Sequence, residues 1–398
     1  MEGFPDALVQ RAHHADLSTL LSGGDEAVYF AAKAAEFLNT VSLPAQSERI
    51  LLNRYNKKLG CVEADTLNFG RLSLDEFLDT PESFSQGFIV VKNGDIVYEH
   101  YPRMDPSDDH VWMSPAKVAA SLVIDLLIGD GKIDEERPFG DYVPGFRGTP
   151  TAEVRIKDIL DMSTGLDVEE NYRSIRNPDS IPIRTFLAEF GFPYKGKRES
   201  LADVLRSARS LTEPGIAFQY SSATTQLLVL LAEAVEGVPW SEIFGERIWS
   251  KLGAEAPIQL HQTPDGVVAA HGLISSTLRD FARFGMLYTP SWSQVASEQV
   301  VDGDVVKRIQ EGVRSKDFFL GGSSGPGYEQ LFGGDSLLSN SRQWDVVWDD
   351  GDFWKSGLFG QGLYVSPEKD LVIAYFSMNP TDPSIARFLR PLAYSEWL

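Results

Sequence analysis

Cysteine is almost missing from this chain: one residue, Cys61, in 398. An internal disulfide framework is therefore excluded, and the usage fits a reducing compartment. Only Lys57 and Lys58 bring positive charge near Cys61, so it reads as a buried or incidental thiol rather than a nucleophile. Basic residues are also scarce, 36 against 57 acidic ones, giving a net charge of -21. That balance argues against nucleic-acid partners and against docking on anionic membranes. The six histidines contain no His-Glu-x-x-His arrangement, and His13-His14 is a bare pair, so neither a metal nor another cofactor is called for. No apolar run is long enough to span a bilayer. The opening Met1-Glu2-Gly3-Phe4-Pro5-Asp6 lacks the basic-then-apolar layout of a secretory leader, so the expected location is cytoplasmic. Internal repeats and low-complexity tracts are absent. The length allows a large core, divided between two lobes.

What is present centres on Trp112-Met113-Ser114-Pro115-Ala116-Lys117. An apolar run continues through Val118-Ala119-Ala120-Ser121-Leu122-Val123-Ile124 to Ile128 and stops at Gly129-Asp130-Gly131. The pattern predicts one buried helix, with Ser114 as N-cap and Pro115 in the first turn. A spacing of three puts Ser114 and Lys117 on neighbouring surface of that turn. Burial disfavours a charged amine, so Lys117 can serve as a base near neutral pH and activate the Ser114 hydroxyl. The helix N-terminus favours negative charge beside Ser114. The plain alternative is a helix cap followed by a snorkelling lysine. A second Ser-x-x-Lys, Ser366-Pro367-Glu368-Lys369, lies between two strand-like runs and reads as a hairpin turn with an exposed lysine.

Residues 1–70 read as a helical extension, with helices expected over 27–38 and 46–55. Phe88-to-Val91 and Ile96-to-Glu99 flank Asn93-Gly94, a hairpin signal. Sheet sequence is thus expected over 71–112 and again over 266–398, with a mostly helical lobe over 113–265 between them. Helices are expected over 156–162, 201–207 and 223–235, and one more over 278–287. Strands are expected over 344–348, 355–365 and 371–377. A helical insert within a sheet domain leaves a cleft between two lobes, where sites are common.

Several motifs in this order resemble the serine hydrolases of the penicillin-recognising, β-lactamase-like fold. Ser114-Pro115-Ala116-Lys117 is similar to the first element of that family, and Asp130-Gly131-Lys132-Ile133-Asp134 follows it. Ile156-to-Leu166, then Glu213-Pro214-Gly215 with Tyr220-Ser221-Ser222, then Ala270-to-Asp280 resemble successive segments around the cleft. Lys355-Ser356-Gly357 resembles the third element. The resemblance covers about residues 80–385. It implies an α+β fold, an antiparallel β-sheet flanked by helices with the helical lobe inserted, as in β-lactamases and DD-peptidases. It also implies Ser114 as the acylated nucleophile, Lys117 as general base and Tyr220 as proton relay, its phenolate favoured by a nearby ammonium. The backbone N–H groups of Ser114 and Leu358 would form the oxyanion hole.

Two departures bear on the branch. Ser222 stands where β-lactamases and cell-wall peptidases usually have asparagine. The third element reads either as Lys355-Ser356-Gly357, a carboxylate-binding triplet, or as Gly357-Leu358-Phe359-Gly360-Gln361. The latter resembles the Gly-x-x-Gly-Gln of family VIII carboxylesterases and 6-aminohexanoate-oligomer hydrolases, and is the preferred reading. Substrate-binding roles are then implied for Tyr172, Ser222, His271, Gly357 and Phe359, with an exposed loop tyrosine as the alternative for Tyr172 and a structural residue as that for His271. Gly357 would admit the substrate close to its strand. Asp105, Asp108 and Asp109, Asp167, Glu169 and Glu170, and Asp345, Asp349, Asp350 and Asp352 would favour a neutral or amine-bearing substrate if they rim the cleft. Solvated loops are the alternative for these, as core packing is for Trp344, Trp348 and Trp354. The expected activity is cleavage of small carboxylic esters or linear amides. β-Lactam opening, D-amino-acid peptide trimming and acyl transfer would use the same residues, and a non-catalytic binding module would keep the fold without them. A homodimer is compatible with the sequence.

Overall fold

The computed structural model describes residues 4–45, 49–333 and 336–398. Its strands are β1 Thr40–Leu43, β2 Glu63–Asp65, β3 Arg71–Ser73, β4 Ser85–Lys92, β5 Asp95–His100, β6 His110–Val111, β7 Ile258–His261, β8 Ile274–Ser276, β9 Leu337–Ser341, β10 Trp344–Trp348, β11 Phe353–Ser356, β12 Gly362–Ser366 and β13 Leu371–Ser377. The main sheet is antiparallel, in the order β5-β4-β13-β12-β11-β10-β9. Asn93 and Gly94 both take positive φ (53° and 85°), the backbone that a tight two-residue hairpin needs. β13 is buried along its whole length, which explains its unbroken apolar sequence. A second sheet, β1-β7-β8-β6, is built from shorter strands.

Several sequence expectations are corrected. Residues 46–48 of the expected helix over 46–55 lie outside the described residues, and 49–55 is not helical. Tyr55 and Lys57 instead donate N–H bonds to Ile96 and Val97 carbonyls, and Ile96 donates to that of Asn53. Covering the free edge of β5 satisfies more backbone groups than a short exposed helix could. The helix expected over 27–38 spans Asp25–Ala32 and ends at Lys33, whose φ is -130°. The strand expected over 355–365 divides into β11 and β12 around the turn at 357–361. Beyond 266 there are also helices Gly303–Glu311, Lys316–Leu320 and Gly325–Phe332, where only one helix was expected. Cys61 is exposed. Lys369, expected exposed, is only 23% so and pairs with Asp350 and Asp352. Trp344, Trp348 and Trp354 are core residues. No helix among the described residues is long and apolar enough to cross a membrane.

Buried polar contacts tie the main sheet to the helices that follow Ser114 and Ser221. The β9–β10 turn, Arg342-Gln343, reaches both of them. Arg342 Nη1 donates to Asp125 Oδ1 at 2.7 Å, in the middle of the helix Lys117–Gly129. Gln343 accepts from Thr225 Oγ1 at 2.8 Å, in the neighbouring helix Ser222–Glu236, and donates to the Ile159 and Leu160 carbonyls. The helices that begin at Lys117 and Ser222 are thus registered against one sheet turn.

On one face of the sheet lies the helix Leu278–Met286, packed on β4, β12 and β13. Gly285 makes that approach close: a Cβ there would meet Val372 Cγ1 at 2.7 Å and Leu363 Cδ1 at 2.8 Å. Gly285→Val is expected to destabilise the fold by about 1–3 kcal/mol through overpacking. A lowered melting temperature by circular dichroism checks this; an unchanged one would show that the contact yields freely.

Candidate active site

Ser114 opens a short 3-10 turn, Ser114–Ala116, and the α-helix proper runs from Lys117 to Gly129. The expected serine N-cap is not formed. Met113 holds the cap position and no side chain caps the turn. Met113 has φ 53° and ψ -145°, a conformation that costs of order 1–3 kcal/mol outside glycine. The residue before it is firmly held: Trp112 donates its N–H to the Ile274 carbonyl at 2.7 Å and its indole N–H to Ser276 Oγ at 2.8 Å. Its ring packs against Phe281 and Phe284. A rigid anchor therefore precedes a strained link, and Ser114 follows at the cleft.

Lys117 is 0% exposed. Its ammonium position donates to Ser222 Oγ and to the His271 carbonyl, both at 2.8 Å. Burial pushes its pKa down to about 7, against an upward pull from Glu170 and with a further push down from Lys355. Tyr220 lies in the loop before the helix Ser222–Glu236, and its hydroxyl is in hydrogen-bonding contact with the Ser114 side chain. Lys117 Nζ lies 5.4 Å and Lys355 Nζ 4.5 Å from the centre of its ring. The expectation of a favoured phenolate is overturned. Desolvation first, then Asp345, Tyr328 and Glu170, hold the phenol well above its usual range, so it stays protonated.

Lys355 is fully buried and paired with Asp345. Asp345 Oδ2 also accepts from the Ser356 N–H at 2.9 Å and from Ser356 Oγ at 2.5 Å. Burial lowers the Lys355 pKa while Asp345 pulls it back up. This ammonium is therefore committed inward and does not line the cavity. Gly357 does line it, but the sequence-based reason for the glycine changes. A Cβ would sit 2.8 Å from Pro115 Cδ, so glycine here lets the end of β11 approach the Ser114 turn.

Ser114 opens into a cavity of about 500 Å³, which Tyr220, Ser222, His271, Gly357 and Leu358 also line. Neither the Ser114 nor the Leu358 backbone N–H donates to a protein acceptor among the described residues. Two expected site residues are not brought there. Tyr172 is 71% exposed and stacks on the Arg176 guanidinium, 3.7 Å from its ring centre. The Asn171 side chain accepts from the Arg173 and Ser174 N–H groups and fixes this turn. Phe359 takes φ 67° and packs into the N-terminal apolar cluster. The acidic rim is also corrected. Of the acids expected there, Glu170 alone lines the cavity; Asp108 pairs with Lys33, Asp167 with Arg209, and Asp350 and Asp352 with Lys369 and Arg390.

Among the lining residues that the sequence passed over are Leu21, Glu189, Ser324 and Tyr328. Glu189 is the lone acid in Ile181–Glu189, an otherwise largely apolar helix, a signal of the same kind as Lys117. Its Oε2 lies 3.0 Å from His271 Nε2, off the line of a hydrogen bond, and its Oε1 is buried without a partner. Tyr328 donates to or accepts from Ser356 Oγ at 3.2 Å, and burial raises its pKa well above the usual value. Glu170 clamps the Tyr220 segment. Its N–H donates to the Tyr220 carbonyl at 2.8 Å, and its carboxylate accepts from the Ser222 N–H at 2.5 Å.

With this geometry in view, comparison with known proteins is informative. The chain belongs to the Beta-lactamase family, whose model matches residues 78–393. It is a hydrolase of that family. It is 27% identical over 304 residues to a 6-aminohexanoate-dimer hydrolase of Paenarthrobacter ureafaciens, covering 76% of this chain and 74% of that one. The fold is similar to that of a Bacillus anthracis protein provisionally described as a 6-aminohexanoate-dimer hydrolase, with 23% identity, a TM-score of 0.75 and coverage of 95% and 96%. It is also similar to EstCE1, a hydrolase with promiscuous acyltransferase activity, at 15% identity, a TM-score of 0.60 and coverage of 80% and 96%. These structures bear out the β-lactamase-like, mixed helical and antiparallel fold.

The depressed Lys117 pKa has a consequence for stability. Between about pH 7 and its unfolded value, the unfolded chain holds a proton on Lys117 that the native protein lacks. Stability from this group therefore rises with pH across that window, by up to about 1.4 kcal/mol per pH unit. Wild type relative to Lys117→Met should gain stability from pH 7 to pH 9 in urea unfolding. Parallel curves for the two proteins would show that Lys117 remains charged when buried.

Proposed function

We propose that the protein cleaves linear amides or small carboxylic esters through an acyl-enzyme on Ser114. The observation that carries this reading is Lys117, a buried amine with a pKa near 7, one helical turn from the Ser114 hydroxyl, which contacts Tyr220 at the cavity. Neutral Lys117 takes the Ser114 proton, directly or through Tyr220. The serine oxygen attacks the substrate carbonyl, and the resulting oxyanion is held by the Ser114 and Leu358 N–H groups. The carbon–nitrogen or carbon–oxygen bond then breaks as protonated Tyr220 gives its proton to the leaving group, and Lys117 reprotonates the phenol. In the second half, water gives its proton to the same pair and attacks the ester. The acid leaves and Ser114 regains its proton.

The substrate class follows from what the cavity offers. Lys355 is sealed against Asp345, so the cavity has no free ammonium for a substrate carboxylate of the kind a β-lactam carries. Ser222 accepts from Lys117, which commits its oxygen to the base. Ile175, Ile183, Phe186 and Phe190 supply apolar wall, and Glu170 and Glu189 are its carboxylates. Such a lining supports a neutral or amine-bearing chain over an anionic one.

The test is turnover of p-nitrophenyl butyrate, a linear ω-amino-acid amide dimer and a chromogenic cephalosporin. Ester or amide turnover without cephalosporin opening is expected, rising with pH through about 7 to a plateau as Lys117 loses its proton. Ser114→Ala and Lys117→Ala should each lose about a thousandfold or more in kcat, and Tyr220→Phe should lose orders of magnitude while substrate still binds. Rapid cephalosporin opening, or near-normal turnover by Lys117→Ala, would contradict the reading.

A further inference from the structure

One residue of the cavity lining comes from outside the part of the chain that matches the family model. This is Leu21, in the turn that follows the short helix Leu17–Leu20, whereas the family match begins at residue 78. Leu21 packs with Leu273 and Met113 in one apolar cluster, and Phe190 joins the same cluster from the helical lobe. A neighbouring recess of about 230 Å³ is lined by Leu20, Phe37, Leu38 and Asn39 from the N-terminal segment and by Glu189, Phe190 and Gln262. Glu189 and Phe190 face both spaces. An apolar chain leaving Ser114 in this direction meets Leu21 and Phe190.

The turn that carries Leu21 is fixed rather than loosely draped. Gly23 has φ +83°, and a Cβ there would meet Pro380 Cβ at 2.8 Å and the Met378 carbonyl at 3.1 Å. Gly24 N–H donates to that same Met378 carbonyl at 3.3 Å. Asn379 N–H donates to the Phe359 carbonyl at 3.0 Å, and Gln361 donates to the Ser377 carbonyl. The Leu21–Gly24 turn thus rests on the residues that hold the turn bearing Leu358. Downstream, β1 pairs with β7 along four residues, and Thr40 Oγ1 is 2.8 Å from His261 Nδ1. The segment is tied to the sheet on both sides of Leu21's cluster.

We infer that Leu21 is a specificity-determining residue that sets the length of the unbranched apolar chain the cavity accepts. This rests on the cavity being the substrate site under the proposed function, but not on acylation itself. Each methylene that finds room is removed from water, and each that meets the wall is excluded.

The experiment measures Kd by isothermal titration calorimetry for N-butylalkanamides from butanamide to decanamide, and for N-alkylbutanamides of the same range. The protein is full-length Ser114→Ala, alone and combined with Leu21→Ala or Leu21→Trp. On the side of the amide that reaches Leu21, Leu21→Ala is expected to shift the octyl-to-butyl ratio of Kd by about tenfold or more in favour of the longer chain. Leu21→Trp should shift it by a similar factor the other way. If neither variant moves the ratio on either side, or if all lengths weaken by one common factor, Leu21 is a packing residue and the inference is overturned. Because the readout is binding, failure of Ser114 to form an acyl adduct in wild type would overturn the proposed function and leave this result standing.

Discussion

Everything at the cleft depends on the cost of removing one amine from water. Lys117 has no solvent contact, and its two hydrogen-bond partners, a hydroxyl and a carbonyl, are neutral. Burying a charged ammonium whose hydrogen-bond partners are dipoles costs several kcal/mol, whereas a neutral amine in the same place costs far less. The protonation state is therefore set by the packing of the helix Lys117–Gly129 in the helical lobe. The same desolvation acts on Tyr220 with opposite chemical meaning, because for a phenol the neutral form is the protonated one. One dry environment thus leaves a base that lacks its proton beside an acid that keeps it, which is the pairing acyl transfer needs.

That environment has to be registered against the sheet to within a fraction of an ångström. The Arg342-Gln343 turn does so from below, through Asp125 and Thr225. Trp112 does so from the front, clamped between β8 and the helix Leu278–Met286. Gly357 does so from the side, because any larger residue would push against Pro115. The strain at Met113 is what remains where these three demands meet. Lys355 and Asp345, which an outside view would assign to substrate, instead form a sealed pair under Tyr220, with Tyr328 completing the enclosure through Ser356.

The parts of this arrangement visible in the sequence are those whose signal is local. Ser114 and Lys117 share one helical turn. Tyr220 follows a Pro-Gly turn and precedes a helix, and the β4–β5 hairpin carries Asn93-Gly94 between two apolar runs. The failures have physical causes. Ser114 was expected to cap its helix, but a 3-10 turn intervenes, and its hydroxyl contacts Tyr220. Tyr172 was expected at the substrate, but Asn171 captures the local backbone and turns the ring outward. The acidic rim dissolved because a carboxylate in sequence says nothing of the arginine or lysine that will find it, as Asp167 found Arg209 and Asp350 found Arg390. Leu21, Glu189 and Tyr328 are brought together across more than 300 residues, and no spacing rule reaches that far. A helix was expected over 46–55, whereas the open edge of β5 supplied the partners that decided the backbone of residues 53–57.

The measurement closest to the centre of this account is the titration of Lys117 itself. Protein labelled with 13C at lysine Cε, compared with Lys117→Met to assign the signal, reports the charge of that amine directly across pH 5 to 10. The account predicts a midpoint near 7. A Lys117 signal that stays protonated above pH 9 would contradict it. The amine would then be a buried structural cation, and the base that activates Ser114 would have to be sought elsewhere in the cavity.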